Sequence, residues 1–286
     1  MYSEICPICQ SELFVGQQSW HLLCKRCGYE KGTLKSTINL HSAHQLIDEN
    51  ARETGLRELR NSNFKKLLTN IKLLKPSGGR LLDVGCAHGW FLESAKKNGF
   101  DPFGVEPDKN VFDANSRRGL PVRMGYFPDA LDENEKFDVI VFNDVIEHIP
   151  DIERVLESCH QRLNKHGLLV LNLPSSSGVF YKLSKIFCRF GFAGFFERLW
   201  QKDLPSPHLH YFNLSNVAFL LKNNGFDIKH TGSLSTLCLS GLYTRISYTG
   251  DIGFIARIFV YIGVAISLPI LKILPSDIVY VVSRRK

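Results

Sequence analysis

From Arg80 to Pro174 the chain switches repeatedly between short apolar runs and amphipathic stretches, and that alternation constrains the fold more than any other feature. The runs RLLDVG, DPFGVEP, LPVRMG, FDVIVFND and LLVLNLP read as strands. WFLESAKKNG, VFDANSRRG and DIERVLESCHQRLNKHG read as helices. Strands alternating with helices imply right-handed crossovers and a mostly parallel sheet covered on both faces. DVIVF and LLVLNL are apolar on both faces, as strands buried inside such a sheet are. The composition, 44% hydrophobic and 22% charged over 286 residues, allows a substantial core.

In an open parallel sheet, ligands bind outside the carboxyl ends of the strands. The first strand runs into LLDVGCAHGWFL, a tight turn bounded by Gly85 and Gly89. Gly85 permits a sharp turn, and Gly89 lets the next helix pack closely. Ala87 stands where a middle glycine is frequent, and its one methyl still permits close backbone approach. Glu106 closes the second strand about 20 residues on, a spacing that suits a carboxylate gripping two ribose hydroxyls. Nicotinamide enzymes share such a turn. Asp83 before it, and the lack of a full G-x-G-x-x-G, point elsewhere.

LLDVGCAHGWFL, FGVEPD and FDVIVFNDVIEHIPD resemble motif I, the acidic end of strand two and motif IV of class I S-adenosylmethionine-dependent methyltransferases. HLHYFNLSNVAFLLKNNGFDI resembles the late helix and strand six of their small-molecule, ubiquinone-O-methyltransferase-like branch. The resemblance implies an α/β fold, a Rossmann-like seven-stranded doubly wound sheet with a final antiparallel hairpin. It implies S-adenosylmethionine as methyl donor. Asp83, Gly85 and Gly89 would line the methionine side with Cys86 and Ala87, and Glu106 with Pro107 would hold the ribose. Tyr126 and Phe127 would flank the adenine, and Asn143 would close the pocket at the fourth strand end.

The segment after that strand constrains the acceptor. Family members that methylate amino groups of bases or glutamine tend to carry an Asn/Asp-Pro-Pro-aromatic loop, and this chain has NDVIEH instead. Asp144, Glu147 and His148 would share a face of a helical turn. SPHLHYF adds His208 and His210. Carboxylates and imidazoles converging beside a methyl donor could bind a divalent ion or supply a general base, and structural roles remain a third reading. The group resembles the ExxEH metal constellation of small-RNA 2′-O-methyltransferases and ubiquinone O-methyltransferases, with Asp144 in place of the first Glu.

At the amino end, Cys6 and Cys9 form one CxxC pair and Cys24 and Cys27 another. Two such knuckles close the tetrahedral four-cysteine site that Zn2+ prefers, so the expectation is a structural zinc ribbon. The start, MYSEICPIC, has no basic segment followed by an apolar one. A cytoplasmic, reducing location is therefore expected, and the eight Cys do not read as a disulfide framework.

Two segments carry unusual apolar content. Gly178 to Lys202 interleaves Phe, Tyr and Trp with Lys and Arg, which fits an ordinary acceptor lid, a lid lying in a membrane interface, or stacking on RNA. Ile258 to Leu271 carries no charge and ends at Lys272, short of the about 20 apolar residues of a spanning helix. It reads as a core helix, a homodimer face or a monotopic anchor on the inner face of the cell membrane.

The expected organisation is a zinc ribbon over 1–35, a connecting helical segment over 36–75, and a methyltransferase domain over 76–286 with inserts at about 175–212 and 252–274. The helical segment runs from about Ser42 to Leu74. The expected activity is O-methylation of a hydroxyl on a sugar, a lipid-linked glycan or another small or lipidic intermediate. The rivals are an RNA methyltransferase, since rRNA guanine methyltransferases also place a zinc ribbon before such a domain, and a non-catalytic donor-binding protein. The formal charge of +7 is compatible with nucleic acid, but the apolar insert has no place in that reading.

Overall fold

The computed structural model describes residues 4–38, 49–248 and 253–286. Strands β1 (Leu13–Val15), β2 (His21–Cys24) and β3 (Glu30–Gly32) form an antiparallel meander at the amino end. After helix α1 (Glu49–Leu74) the alternation predicted above begins: β4 (Gly79–Val84), α2 (Trp90–Lys97), β5 (Phe100–Glu106), α3 (Lys109–Arg117), β6 (Val122–Met124) and β7 (Phe137–Asn143). A single 3-10 turn (Ile146–His148) leads to α4 (Ile152–Arg162) and β8 (Leu163–Pro174). The lid comes next as α5 (Val179–Arg189) and α6 (Gly194–Leu199), then β9 (His210–Tyr211), α7 (Leu214–Asn223) and β10 (Phe226–Leu234). Helices α8 (Leu242–Tyr248) and α9 (Phe254–Leu271) separate β10 from β11 (Ile278–Arg285).

The large sheet has seven strands in the order β10-β11-β8-β7-β4-β5-β6. β8, β7, β4, β5 and β6 run parallel, and β11 is antiparallel to both β8 and β10. This is the seven-stranded, doubly wound sheet with a final antiparallel hairpin that the sequence predicts. The small sheet has the order β1-β2-β3-β9. Its fourth strand comes from far along the chain, with Glu30 opposite Tyr211 and Lys31 opposite His210.

Helices cover both faces of the large sheet. On one, Phe64, Leu67, Leu68 and Ile71 of α1 pack with Phe91 of α2 against Leu81, Val139 and Val141. On the other, Val155, Leu156, Val217 and Leu221 from α4 and α7 cover Leu82, Ile140 and Phe142. Each such side chain contributes about 1.5–3 kcal/mol when fully buried. The crossovers leave the carboxyl ends of β4, β5 and β7 open at one edge, where the site is built.

The structure departs from the sequence reading in two places, and a third expectation falls outside the described residues. The helix read through Gly167 ends at Arg162, because Leu163 is buried and pairs with Phe137 across the sheet. The start of the helix expected from Ser42 lies outside the described residues, and α1 is described from Glu49. The uncharged run that begins at Ile258 belongs to a longer helix from Phe254, which by length and composition alone is long and apolar enough to cross a membrane. Leu234 pairs with Ile278, so the insert leaves and re-enters the sheet at one point.

Candidate active site

A cavity of about 1070 Å³ opens at the carboxyl edge of β4, β5 and β7. Asp83, Gly85, Cys86, Ala87, Glu106 and Pro107 line one half, together with Tyr126, Phe127 and Asn143. The turn is shaped by its backbone. Gly85 has φ +67°, and a Cβ there would come within 2.8 Å of Val145. Gly89 has φ +73°, and a Cβ there would come within 2.4 Å of Leu120. Gly89 therefore acts on the packing of α2 rather than in the cavity wall. Ala87 takes φ +43°, and its N–H donates to the Glu106 carboxylate at 2.8 Å. The other Glu106 oxygen accepts from Asp108 N–H at 2.9 Å.

Burial pushes Glu106 up to about 7 and Asp83 up to about 8. Asn143 moderates the latter by donating to Asp83 at 3.1 Å. Phe127 is buried edge-on to Phe142, while Tyr126 stands exposed at the rim. This half can accept two hydroxyls at Glu106 and a cation at Asp83, the polar groups of a nucleoside amino acid.

His148 and Asp144 line the opposite wall, and a titratable cluster that includes His148 lies buried behind it. Glu147, His148 and His208 present one ligand atom each within 4.8 Å of one another. Glu147 is fully buried, and neither of its oxygens has a hydrogen-bond partner among the described residues. Burial, reinforced by the charge of Asp144, raises its carboxyl well above the ordinary range. His148 donates from Nδ1 to the Pro207 carbonyl at 2.9 Å, and its Nε2 lies 4.0 Å from Glu147. Burial drives His208 well below the usual imidazole range. These three groups could hold a divalent ion.

Asp144 and His210 do not join them. Asp144 turns to Arg60, 3.3 Å away. His210 accepts from the Tyr29 hydroxyl and donates to the Ile149 carbonyl at 2.9 Å, and burial lowers it to about 4. Its register opposite Lys31 in the small sheet turns it from the cavity into the core.

The four cysteines expected to bind zinc do converge. Cys6 and Cys27 Sγ lie 3.6 Å apart, Cys9 and Cys24 Sγ 3.4 Å, and all four sulfurs fall within 4.8 Å of one another. Tetrahedral ligation at a Zn–S distance of about 2.3 Å needs sulfur separations near these values. Gln10 N–H to Cys6 carbonyl and Gly28 N–H to Cys24 carbonyl close two matching turns. Burial pushes the Cys6 thiol up to about 11, a penalty that a bound cation would relieve.

A profile of the methyltransferase-domain family matches residues 53–231. The chain belongs to the class I S-adenosylmethionine-dependent methyltransferases. Among curated relatives, the ubiquinone biosynthesis O-methyltransferase of Rattus norvegicus is 28% identical over 163 residues, covering 51% of this chain and 47% of that protein. The chain spans about half the length of the curated relatives it matches. Among solved structures, a methyltransferase from Thermotoga maritima described as a possible histamine N-methyltransferase superposes with TM-score 0.56 at 17% identity, covering 86% of this chain and 100% of that one. The phosphoethanolamine N-methyltransferase 2 of Haemonchus contortus, with S-adenosylhomocysteine bound, gives TM-score 0.59 at 16% identity over 90% of this chain and 61% of that one. At these identities the structures speak for the fold of this methyltransferase alone.

Sequence reasoning missed Arg60, which reaches the cavity from α1 beside Phe64. It also missed the lid's double character. Tyr181, Phe196 and Trp200 are buried against the amino-terminal sheet, while Leu183, Ile186 and Phe187 form an exposed stripe on α5 that Phe190 continues just past its end. The helical spacing of 181, 184 and 188 against 183, 186, 187 and 190 was present in the sequence as a signal.

Proposed function

We propose that this methyltransferase transfers the methyl of S-adenosylmethionine to a hydroxyl on a small lipidic or lipid-linked acceptor. The observation that carries this reading is His148 facing the donor half across one cavity, with Glu147 and His208 buried behind it. The donor, when bound, supplies an electrophilic methyl on a sulfonium. What the chain must add is orientation and removal of the hydroxyl proton.

Glu106 receives the ribose hydroxyls, and Asp83 and Arg60 flank the amino-acid end. His148, its tautomer set by the Pro207 carbonyl, presents Nε2 as the base. The unpartnered Glu147 carboxylate favours a second route: a divalent ion held by Glu147, His148 and His208 would acidify the hydroxyl instead. The four cysteines would hold a structural Zn2+.

Two exposed apolar faces support a lipidic acceptor met at a membrane surface. Ile255, Phe259, Ile262, Ile266 and Ile270 expose one side of α9, and the α5 stripe joins Lys182 and Arg189. Backbone bonds from Ser175 to Asp277 and from Val179 to Pro275 bring the start of the lid to the end of the α9 insert.

The experiment is transfer from methyl-labelled S-adenosylmethionine to prenylated phenols and polyprenyl-linked sugars. The expected label sits in an alkali-stable ether soluble in organic solvent. Label in nuclease-sensitive material, or no transfer to any hydroxyl, overturns the reading.

A further inference from the structure

We infer that the four-cysteine ribbon is the mount of the acceptor-side lid, and that Glu30 is the positioning residue that fastens lid to mount. The inference rests on the proposed function only in calling this side of the cavity the acceptor side.

Glu30 lies in β3 just after the second cysteine pair and is almost fully buried. Three donors converge on its carboxylate. The Tyr181 hydroxyl and His21 Nε2 each donate to Oε2 at 2.6 Å, and Lys185 Nζ donates to Oε1 at 2.9 Å. Two of the three belong to α5, the first helix of the lid. A buried carboxylate is tolerated only with such compensation, so lid and ribbon hold each other in place. The contact extends beyond one residue. Trp20 packs on Phe196 and Trp200, His21 meets the Trp200 ring edge-on, and Gln18 reaches Cys188 at 3.2 Å.

From Glu30 a line of hydrogen bonds runs to the site. Tyr181 donates to Glu30, and Trp200 Nε1 donates to the Tyr181 hydroxyl at 3.2 Å. The Trp200 carbonyl accepts from the His208 backbone N–H at 2.9 Å. Gln201, next in the chain, contacts His208 Nε2 at 3.0 Å and lines the cavity with Glu197 and Arg198. Glu106 and the Gly85 turn take no part in this line. The ribbon therefore sets the lid and His208 while leaving the donor half alone.

The test is hydrogen exchange on the full chain, with S-adenosylhomocysteine as the probe of the donor half. Glu30→Gln removes the charge, and Tyr181→Phe removes one hydroxyl without changing the packed shape. Each variant is expected to speed exchange in residues 179–200 by about tenfold or more, the equivalent of one lost charge-assisted bond. Amides of β4 to β8 and the affinity for S-adenosylhomocysteine should stay within about twofold. The double variant should exchange no faster than the faster single one, because both changes break one line. Unchanged exchange at 179–200, multiplied effects in the double variant, or equal loosening of the whole sheet would overturn the inference. Failure of the O-methyltransferase reading would appear instead as absent methyl transfer with the lid's protection intact.

Discussion

The Ala87 N–H and the Glu106 carboxylate meet at 2.8 Å, which makes the glycine turn and the second-strand acid one structural unit. The Asp108 N–H takes the other Glu106 oxygen at 2.9 Å, so backbone donors hold both oxygens of an acid that lines the cavity.

The first prediction concerns pH. Burial raises Glu106 to about 7 and Asp83 to about 8. Ribose hydroxyls need the ionised Glu106, so affinity for S-adenosylhomocysteine should fall as pH drops through about 7. Stability runs the other way. A carboxyl whose folded value is raised contributes stability below its unfolded value near 4, and that contribution is lost as pH climbs through the folded value. The Tm of the unliganded protein should therefore decline between about pH 4 and pH 8, and Asp83→Asn should flatten the decline. An equally steep decline in Asp83→Asn would refute the assignment.

The second concerns the ribbon. One zinc per chain is expected on Cys6, Cys9, Cys24 and Cys27, whose sulfurs already lie within 4.8 Å of one another. Cys24→Ser should lose the metal and a large part of the stability, since structural zinc binding is coupled to folding. Elemental analysis finding no zinc, with Tm unchanged in Cys24→Ser, rules the site out.

The third concerns the acceptor-side cluster. Burial raises the Glu147 carboxyl well above the ordinary carboxylate range. A divalent ion there needs the ionised carboxylate, so it competes with protons for the site. Calorimetry of Mn2+ or Zn2+ binding to zinc-loaded protein, in buffers of different ionisation enthalpy, should show proton release, and Glu147→Gln should abolish the release. Binding without proton release, or release that survives Glu147→Gln, would leave His148 as base without a metal.

The fourth concerns the apolar faces. Flotation with anionic liposomes should carry the protein at low salt, less at high salt, since each cation near the surface adds about 1 kcal/mol. Ile262→Glu with Ile266→Glu should abolish flotation, because both side chains are exposed on α9. A wild-type chain that stays at the bottom of the gradient at low salt refutes membrane docking.

The donor half was legible in the sequence because its parts are local. A strand, a turn bounded by Gly85 and Gly89, and an acid at the next strand end each announce themselves within a few residues. Glu147 and His148 were legible for the same reason. His208 and His210 looked equivalent, and only the pairing of β9 with β3 separates them, sending His210 to Tyr29. The Glu30–Tyr181 bond spans 151 residues, and Arg60 reaches the cavity from a helix whose pattern speaks only of packing. The end of α4 at Arg162 was set by a strand pairing that local propensity does not encode.

The division of the cavity is tested most directly by calorimetric titration of S-adenosylhomocysteine into Glu106→Ala and His148→Ala. Glu106→Ala removes two charge-assisted hydrogen bonds of about 1.5–3 kcal/mol each and should weaken binding at least about tenfold. His148→Ala should bind it as the wild type does, while turnover on a hydroxyl acceptor falls about 10²–10⁴-fold. Unchanged affinity in Glu106→Ala, or a loss in His148→Ala as large as in Glu106→Ala, would contradict a cavity with separate donor and acceptor halves.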